Sequence, residues 1–307
     1  MKIVIAGGTG FVGQHVSRLL LQEGHSVILL SRHAMSVKPL DVSQVRHIQW
    51  DGCTQGQWTK ECDGADVVIN LSGAPIAEKR WTPNRKRQLT DSRVVSTSTL
   101  GQAIAGWKTK PHTFLTASGV GYYGDQGSKI VDETSPRGDG FLADLCLEWE
   151  NAAQQIEASG LRVLKVRFGM VLGLDGGALP KMMFPFQWFL GGPVLPGTQY
   201  VSWIHQLDLA RLILFLITHP SIRGPVNAVA PDAVTMKEFC HALGKTMKRP
   251  SWFPVPEFIL KIALGELSTM LTTGQRSQPQ KALSAGFSFT YSTIQEALNE
   301  IFSQPSA

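Results

Sequence analysis

Apolar residues in this chain fall into short unbroken runs, separated by stretches in which they recur every three or four positions. Ile3, Val4 and Ile5 form the first run, and Val12, Val16, Leu19 and Leu20 follow at helical spacing. Further runs cover Val27–Leu30, the region around Ile48, Asp66–Leu71, Thr113–Ala117 and Leu161–Val166. Helical patterns occupy Arg85–Ile104 and Phe141–Ala158. Parallel strands need helical crossovers, so this alternation predicts an α/β fold with a doubly wound parallel sheet. Beyond Gly169 the texture changes to glycine, proline, methionine and aromatic residues, which reads as an irregular substrate-side region. A helix over Gln206–Thr218 and a strand near Val226–Val229 return to the sheet. From Thr235 onward mostly helices are expected, one carrying the apolar strip Phe258, Ile259, Ile262 and Leu264. The expected organisation is one unit over residues 1–170, rejoined by 203–230, and a smaller discontinuous unit over 171–202 and 231–307.

The first run ends in Gly7, Gly10 and Gly13 just where the helical pattern begins. Glycines so placed let the chain turn sharply, let a pyrophosphate approach the backbone, and let the helix pack on its strand. The helix N-terminus offers unpaired N–H groups to the anion. Gly7, Thr9, Gly10, Phe11, Val12 and Gly13 are therefore candidate dinucleotide contacts, and the fold is expected to be Rossmann-like. The end of the second run usually carries an acidic residue for the adenosine ribose, but here it reads Leu30, Ser31, Arg32, His33. A hydroxyl and a guanidinium suit a 2′-phosphate, which favours NADP(H) over NAD(H). The alternative is that Ser31 and Arg32 simply end a strand at the surface.

Composition narrows the class. The chain has 307 residues, 43% hydrophobic and 17% charged, enough for a full core. Its net charge of +5 could suggest nucleic acid, yet Lys and Arg are scattered. The densest cluster, Lys79, Arg80, Arg85, Lys86 and Arg87, is short and sits at a helix start, so no nucleic-acid partner is expected. The four cysteines lack CxxC spacing and no histidine joins them in a metal motif, so neither disulfides nor a metal are expected. The apolar stretch Leu207–Ile217 is too short to span a bilayer and is broken by Asp208 and Arg211. With no secretory leader pattern, the expectation is a cytoplasmic protein with a small-molecule substrate and no membrane partner; a homodimer is left open.

Several motifs together resemble the extended short-chain dehydrogenase/reductase superfamily, and within it the atypical epimerase family proteins related to nucleotide-sugar epimerases. They are GGTGFVG at Gly7–Gly13, NLSGAP at Asn70–Pro75, KRW at Lys79–Trp81, Ser92-Arg93, SGVGYYG at Ser118–Gly124, RFGMVLG at Arg167–Gly173, GGP at Gly191–Pro193 and WIHQLD at Trp203–Asp208. The resemblance covers nearly the whole chain. It implies that Asn70, Leu71, Ser72, Gly73 and Ala74 lie along the nicotinamide side of a cofactor, that Phe168 and Gly169 close over it, and that a small C-terminal domain follows. Lys79, Arg80 and Arg93 are candidates for holding cofactor phosphate or an anionic substrate, or are solvated charges.

Members of that superfamily transfer hydride with a Ser or Thr, a Tyr and a Lys, the last two spaced Tyr-x-x-x-Lys. Ser118 occupies the serine position, but the aligned helix start reads Phe141-Leu-Ala-Asp-Leu145, and Phe141 and Leu145 at the Tyr and Lys positions can neither exchange a proton nor supply a charge. Tyr123 is the substitute expected to carry the proton, with Tyr122 beside it. Tyr122, Gln199, Trp203 and His205 are candidate substrate contacts, although packing explains a Gly/Pro/aromatic loop equally well. The expected activity is NADP(H)-dependent oxidoreductase or epimerase-like chemistry on a carbonyl or alcohol. The alternative is a noncatalytic NADP(H)-binding or redox-sensing protein.

Overall fold

The computed structural model describes residues 1–32 and 45–303. Seven strands, β1 (Lys2–Ala6), β2 (Ser26–Ser31), β3 (Val45–Gln49), β4 (Val67–Asn70), β5 (Thr113–Gly119), β6 (Arg162–Phe168) and β7 (Gly224–Ala228), form one sheet. Its order is β7-β6-β5-β4-β1-β2-β3, and every pairing is parallel. The chain reverses direction across the sheet at β1, so the carboxyl ends of β1 and β4 flank the crevice where open α/β sheets take ligands.

Successive side chains explain why the strands read as unbroken apolar runs. Ile3 and Ile5 point to the side covered by α1 (Phe11–Gln22), where Val16 and Leu20 meet Leu209, Leu212, Ile213 and Leu216 of the later helix Gln206–Thr218. Val4 and Ala6 point to the opposite side, toward Leu100, Ile104, Ala153 and Ile156. Both faces of the sheet are dry, so both alternating sets must be apolar. A short helix, α2 (Trp58–Cys62), which the apolar pattern does not announce, seals the second face with Trp58 against Trp50.

Helix α3 (Pro83–Ala105) starts where Thr82 accepts the Arg85 N–H and Pro83 needs no partner for its missing one. Helix α4 (Phe141–Glu157) packs against it. The substrate-side segment supplies α5 (Leu179–Gln187), then α6 (Gln206–Thr218), whose bounds match the sequence expectation. Helix α7 (Met236–Met247) opens with a reciprocal cap between Thr235 and Glu238. Then come α8 (Glu257–Leu264), α9 (Thr269–Thr272), α10 (Gln280–Ser284) and α11 (Ile294–Ser303). A third core, centred on Trp203, Phe239, Phe186 and Leu298, joins α5, α7 and α11.

Three short two-stranded ribbons stand apart from the main sheet. Trp203–His205 pairs with Met170–Leu172, Tyr200–Val201 with Val234–Thr235, and Arg276–Ser277 with Ile130–Val131. Helix α8 forms as its apolar strip predicts, yet Phe258, Ile259 and Ile262 stand exposed and none of its residues is buried. Only Leu264 and the following Leu267 turn inward, toward Trp81. Among the described residues no helix is long and apolar enough to cross a membrane, and no group of three His, Cys, Asp or Glu side chains is placed to hold a metal ion.

Candidate functional site

The turn after β1 is built by close approach. Gly7 has φ +78°, and a Cβ there would stand 2.8 Å from the Leu71 carbonyl, so the turn lies directly on the exit of β4. A Cβ on Gly13 would stand 2.5 Å from both the Gly7 oxygen and the Gly8 Cα. Helix α1 therefore begins in contact with its own turn. Its N-cap, Gly10, brings no side-chain acceptor, and its first turn has no acidic residue. The leading N–H groups are left for an anion, with the helix dipole favouring one. Thr9 braces the turn through its carbonyl, which accepts from Gln14 Nε2 at 2.8 Å.

Across the crevice, the loop from Leu71 to Pro75 is held from beneath. Asn70 is fully buried; its Nδ2 donates to Thr97 Oγ1 at 2.9 Å and its Oδ1 accepts the Ser72 N–H at 3.0 Å. Ser92 Oγ accepts the Ala74 N–H, and Arg93 donates to the Ala74 and Leu89 carbonyls. The Arg93 guanidinium lies so close under Gly73 that a Cβ there would meet it at 3.0 Å. Burial brings Arg93 down to about 10, so it stays charged at neutral pH. Among the described residues no carboxylate pairs with it, and its Nε has no partner.

The loop after β6 completes the frame. Gly173, Gly176 and Gly177 seat the Phe11 ring, where any Cβ would come within 2.7–3.1 Å of a ring atom, and Asp175 pairs with His15 at 3.0 Å. Gly169 is pinned between Ser202 and Val229, its N–H bonded to the Ala228 carbonyl, beside the half-buried Phe168. At the end of β2, Ser31 is buried and Arg32 exposed, with the Arg32 carbonyl accepting from Gln49. His33 lies outside the described residues.

A charged network missing from the sequence expectation sits under the ends of β5, β6 and β7. Ser118 Oγ donates to Glu150 Oε1 at 2.8 Å, and Arg167 donates to both Glu150 oxygens at 2.8 Å. Arg167 also donates to Tyr123 Oη at 2.9 Å, while Tyr123 Oη donates to Asn227 Oδ1 at 2.7 Å. Asn227 Nδ2 continues to the Gln278 carbonyl, and Glu133 accepts the N–H groups of Asn227 and Lys281. Arg167 and Glu150 carried a signal: a charge in a strand or helix buried on its sheet-facing side has to find a partner.

The network corrects the reading of Tyr123. The ring is fully buried, burial pushes the hydroxyl up to about 12, and both hydrogen-bonding directions are committed, so it does not face a substrate. Tyr122 is only half-buried; the Arg167 guanidinium lies 3.5 Å from its ring centroid, and among the described residues no hydrogen bond engages its hydroxyl.

Three other expected substrate contacts face inward instead. Trp203 is fully buried in the third core and donates to the Asp232 carbonyl. His205 caps α6, its Nδ1 accepting the Leu207 N–H while its Nε2 meets Glu300 at 2.7 Å. Gln199 donates to the Val194 and Leu271 carbonyls, although its Oε1 is buried without a partner. Arg80 is turned to another task in this structure: it donates to the Ile262 and Ala263 carbonyls and so closes the end of α8. Phe141 packs edge-on against Trp81 at 5.0 Å, and Leu145 is buried, so apolar packing fills the positions where a Tyr-x-x-x-Lys pair would stand.

Comparison with known proteins agrees with this arrangement. The profile of the NAD dependent epimerase/dehydratase family matches residues 3–228, and a domain of unknown function, DUF1731, matches residues 255–301. The chain is 40% identical over 304 residues to epimerase family protein YfhF of Bacillus subtilis (strain 168), covering 98% of each. It is 37% identical to the chloroplastic SDR39U1 homolog of Arabidopsis thaliana, covering 98% of this chain and 86% of that protein. The crystal structure of human epimerase family protein SDR39U1 (isoform 2) with NADPH superposes with a TM-score of 0.88 at 32% identity, covering 99% of this chain and all of the other. The glycine turn, the parallel sheet and the C-terminal helices thus place this chain in the NAD-dependent epimerase/dehydratase family, with a DUF1731 segment at its C-terminal end.

Proposed function

We propose that this protein binds NADP(H) along the crevice between Gly7–Gly13 and Asn70–Ala74 and transfers hydride to or from a carbonyl or secondary alcohol of a small molecule. The observation that carries the reading is the contact of Gly13 with Gly7 and Gly8, which leaves the first N–H groups of α1 uncapped beside the Leu71–Ala74 loop. The relative crystallised with NADPH supports the same cofactor here. Gly7, Thr9, Gly10, Phe11, Val12 and Gly13 would hold the pyrophosphate, Ser31 and Arg32 the 2′-phosphate, and Leu71, Ser72, Gly73, Ala74, Phe168 and Gly169 the nicotinamide half. Asn70 shapes that loop from inside. Arg93, charged and incompletely bonded, would face the ligand through Gly73. A bound nicotinamide supplies or accepts the hydride.

The proton needs a separate carrier, and Tyr122 is the group best placed for it. Its ring lies against the Arg167 guanidinium, a cation of the kind the absent lysine would otherwise bring. In the reducing direction its hydroxyl would give a proton to the substrate oxygen as hydride reaches the carbon. Ser118 has one hydroxyl proton, now given to Glu150, so it would polarise the substrate oxygen only after rotating. Tyr122→Phe is expected to lower turnover in an NADPH-oxidation assay over a carbonyl panel by about a hundredfold, the usual range for a lost general acid, with NADPH affinity unchanged. Tyr123→Phe is expected to cost stability rather than chemistry, about 1–3 kcal/mol from groups left unpaired. Equal turnover in Tyr122→Phe would remove that residue from the mechanism.

Titration with NADPH and NADH, followed by cofactor fluorescence, tests the cofactor assignment. NADPH is expected to bind at least about tenfold tighter, since a charge-assisted bond to phosphate is worth about 1.5–3 kcal/mol. Arg32→Asp should remove that preference while changing NADH little. Failure to bind either nucleotide would overturn the reading. The apolar packing of Phe141 and Leu145 favours a second reading, a noncatalytic NADP(H)-binding protein. Tight NADPH binding without turnover of any panel member would decide for it.

A further inference from the structure

Isolated exposed apolar residues are ordinary, but a contiguous set on one face marks a contact surface. Exposed apolar residues gather on two joined segments, Trp188–Val194 and Trp252–Ile262. Trp252 is 74% exposed, Ile262 73%, Trp188 66% and Phe258 63%. The segments that carry them are joined: Trp252 Nε1 donates to the Phe189 carbonyl at 3.0 Å, the Trp252 and Phe253 N–H groups donate to the Gly191 carbonyl, and Val194 pairs with Val255. Pro256 then leads straight into α8, which has no buried residue. The ribbon and the helix are internally ordered, so their apolar side chains are held outward by structure.

Charge says what covers them. Lys245 and Lys248 are exposed at the end of α7, Arg249 lies 4.5 Å from the Phe189 ring centroid, and Lys261 is exposed on α8. Glu257 and Lys261 pair at 2.8 Å and offset each other, and Glu238 is engaged in the cap of α7, which leaves Lys245, Lys248 and Arg249 as the net positive charge here. Exposed tryptophans beside flexible basic side chains suit the boundary between headgroups and acyl chains, and Trp252 has its ring N–H already satisfied. We propose that this surface docks on an anionic lipid bilayer, with Trp252, Phe253, Phe258 and Ile262 entering the interface and Lys245, Lys248 and Arg249 meeting the headgroups. This is peripheral binding, and it departs from the sequence expectation of no membrane partner. It is independent of the cofactor assignment.

The test uses the full chain and vesicles of phosphatidylcholine with or without roughly one third phosphatidylglycerol, read by co-sedimentation and tryptophan emission. Binding is expected only to the anionic vesicles, with a blue shift, and is expected to weaken with salt. Trp252→Ser with Ile262→Ser, and separately Lys245→Glu with Lys248→Glu, should each lower partitioning by about tenfold or more while melting temperature and NADPH affinity stay unchanged. Absence of binding to either vesicle, or binding that both double variants retain, would overturn the proposal. So would a concentration-dependent dimer that Trp252→Ser with Ile262→Ser dissolves, because a second copy would then be the occupant.

Discussion

Gly13→Val is expected to weaken NADPH binding by at least about a hundredfold, or about 2.7 kcal/mol, while the protein remains folded. A Cβ at that position would stand 2.5 Å from the Gly7 oxygen and 2.5 Å from the Gly8 Cα. Both are backbone atoms of the turn itself, so no rotamer change relieves the contact. Relief requires α1 to back away from the turn, taking its leading N–H groups with it. Gly13 lies within a helix and has no positive φ, so the cost arises from proximity and not from backbone strain. Equilibrium titration beside a far-UV circular dichroism spectrum checks this. Native-like helicity with affinity within threefold of the parent would show that the turn does not hold the phosphates.

The second large effect concerns the buried pair. Arg167→Met should destabilise the protein by about 3–5 kcal/mol, because it strands the Glu150 carboxylate in an interior where, among the described residues, Ser118 alone still donates to it. Glu150→Leu should cost a similar amount by stranding the guanidinium between Tyr122 and Tyr123. Combined, the two should lose clearly less than their sum, since neither leaves a lone charge behind. Denaturant unfolding of the four proteins reads this directly. Additive losses would mean that the pair contributes nothing beyond its separate contacts.

Much of the fold was legible because it depends on local pattern. Strands dry on both faces must be apolar throughout, and α6 was bounded correctly from the periodicity of Gln206–Thr218. The cofactor turn was legible for a related reason, since its glycines are required within a few residues of one another. The site's remaining chemistry depends on distant partners. Tyr123 looks like a free phenol until Asn227, 104 residues later, takes its proton in a hydrogen bond. His205 looks titratable and available until it is seen to cap α6 and meet Glu300. Arg80 looks like an anion ligand until it closes a helix more than 180 residues away. The loss of the usual pair at Phe141 and Leu145 could be read from the sequence. That Trp81 packs against the substituted ring could not, because no spacing rule links a loop tryptophan to a helix start across α3.

The path from Ser118 to Lys281 also orders events in time. Glu133 waits for N–H groups 94 and 148 residues downstream, and Asn227 for a carbonyl 51 residues further on. A chain emerging from the ribosome amino end first can lay down β1 to β6 early, but it cannot satisfy these groups until the segment around Gln278 is released. The end of the sheet beneath Tyr122 and Tyr123 therefore completes its hydrogen bonds only once the Gln278–Lys281 segment is in place, so these contacts belong to the long-range part of the fold.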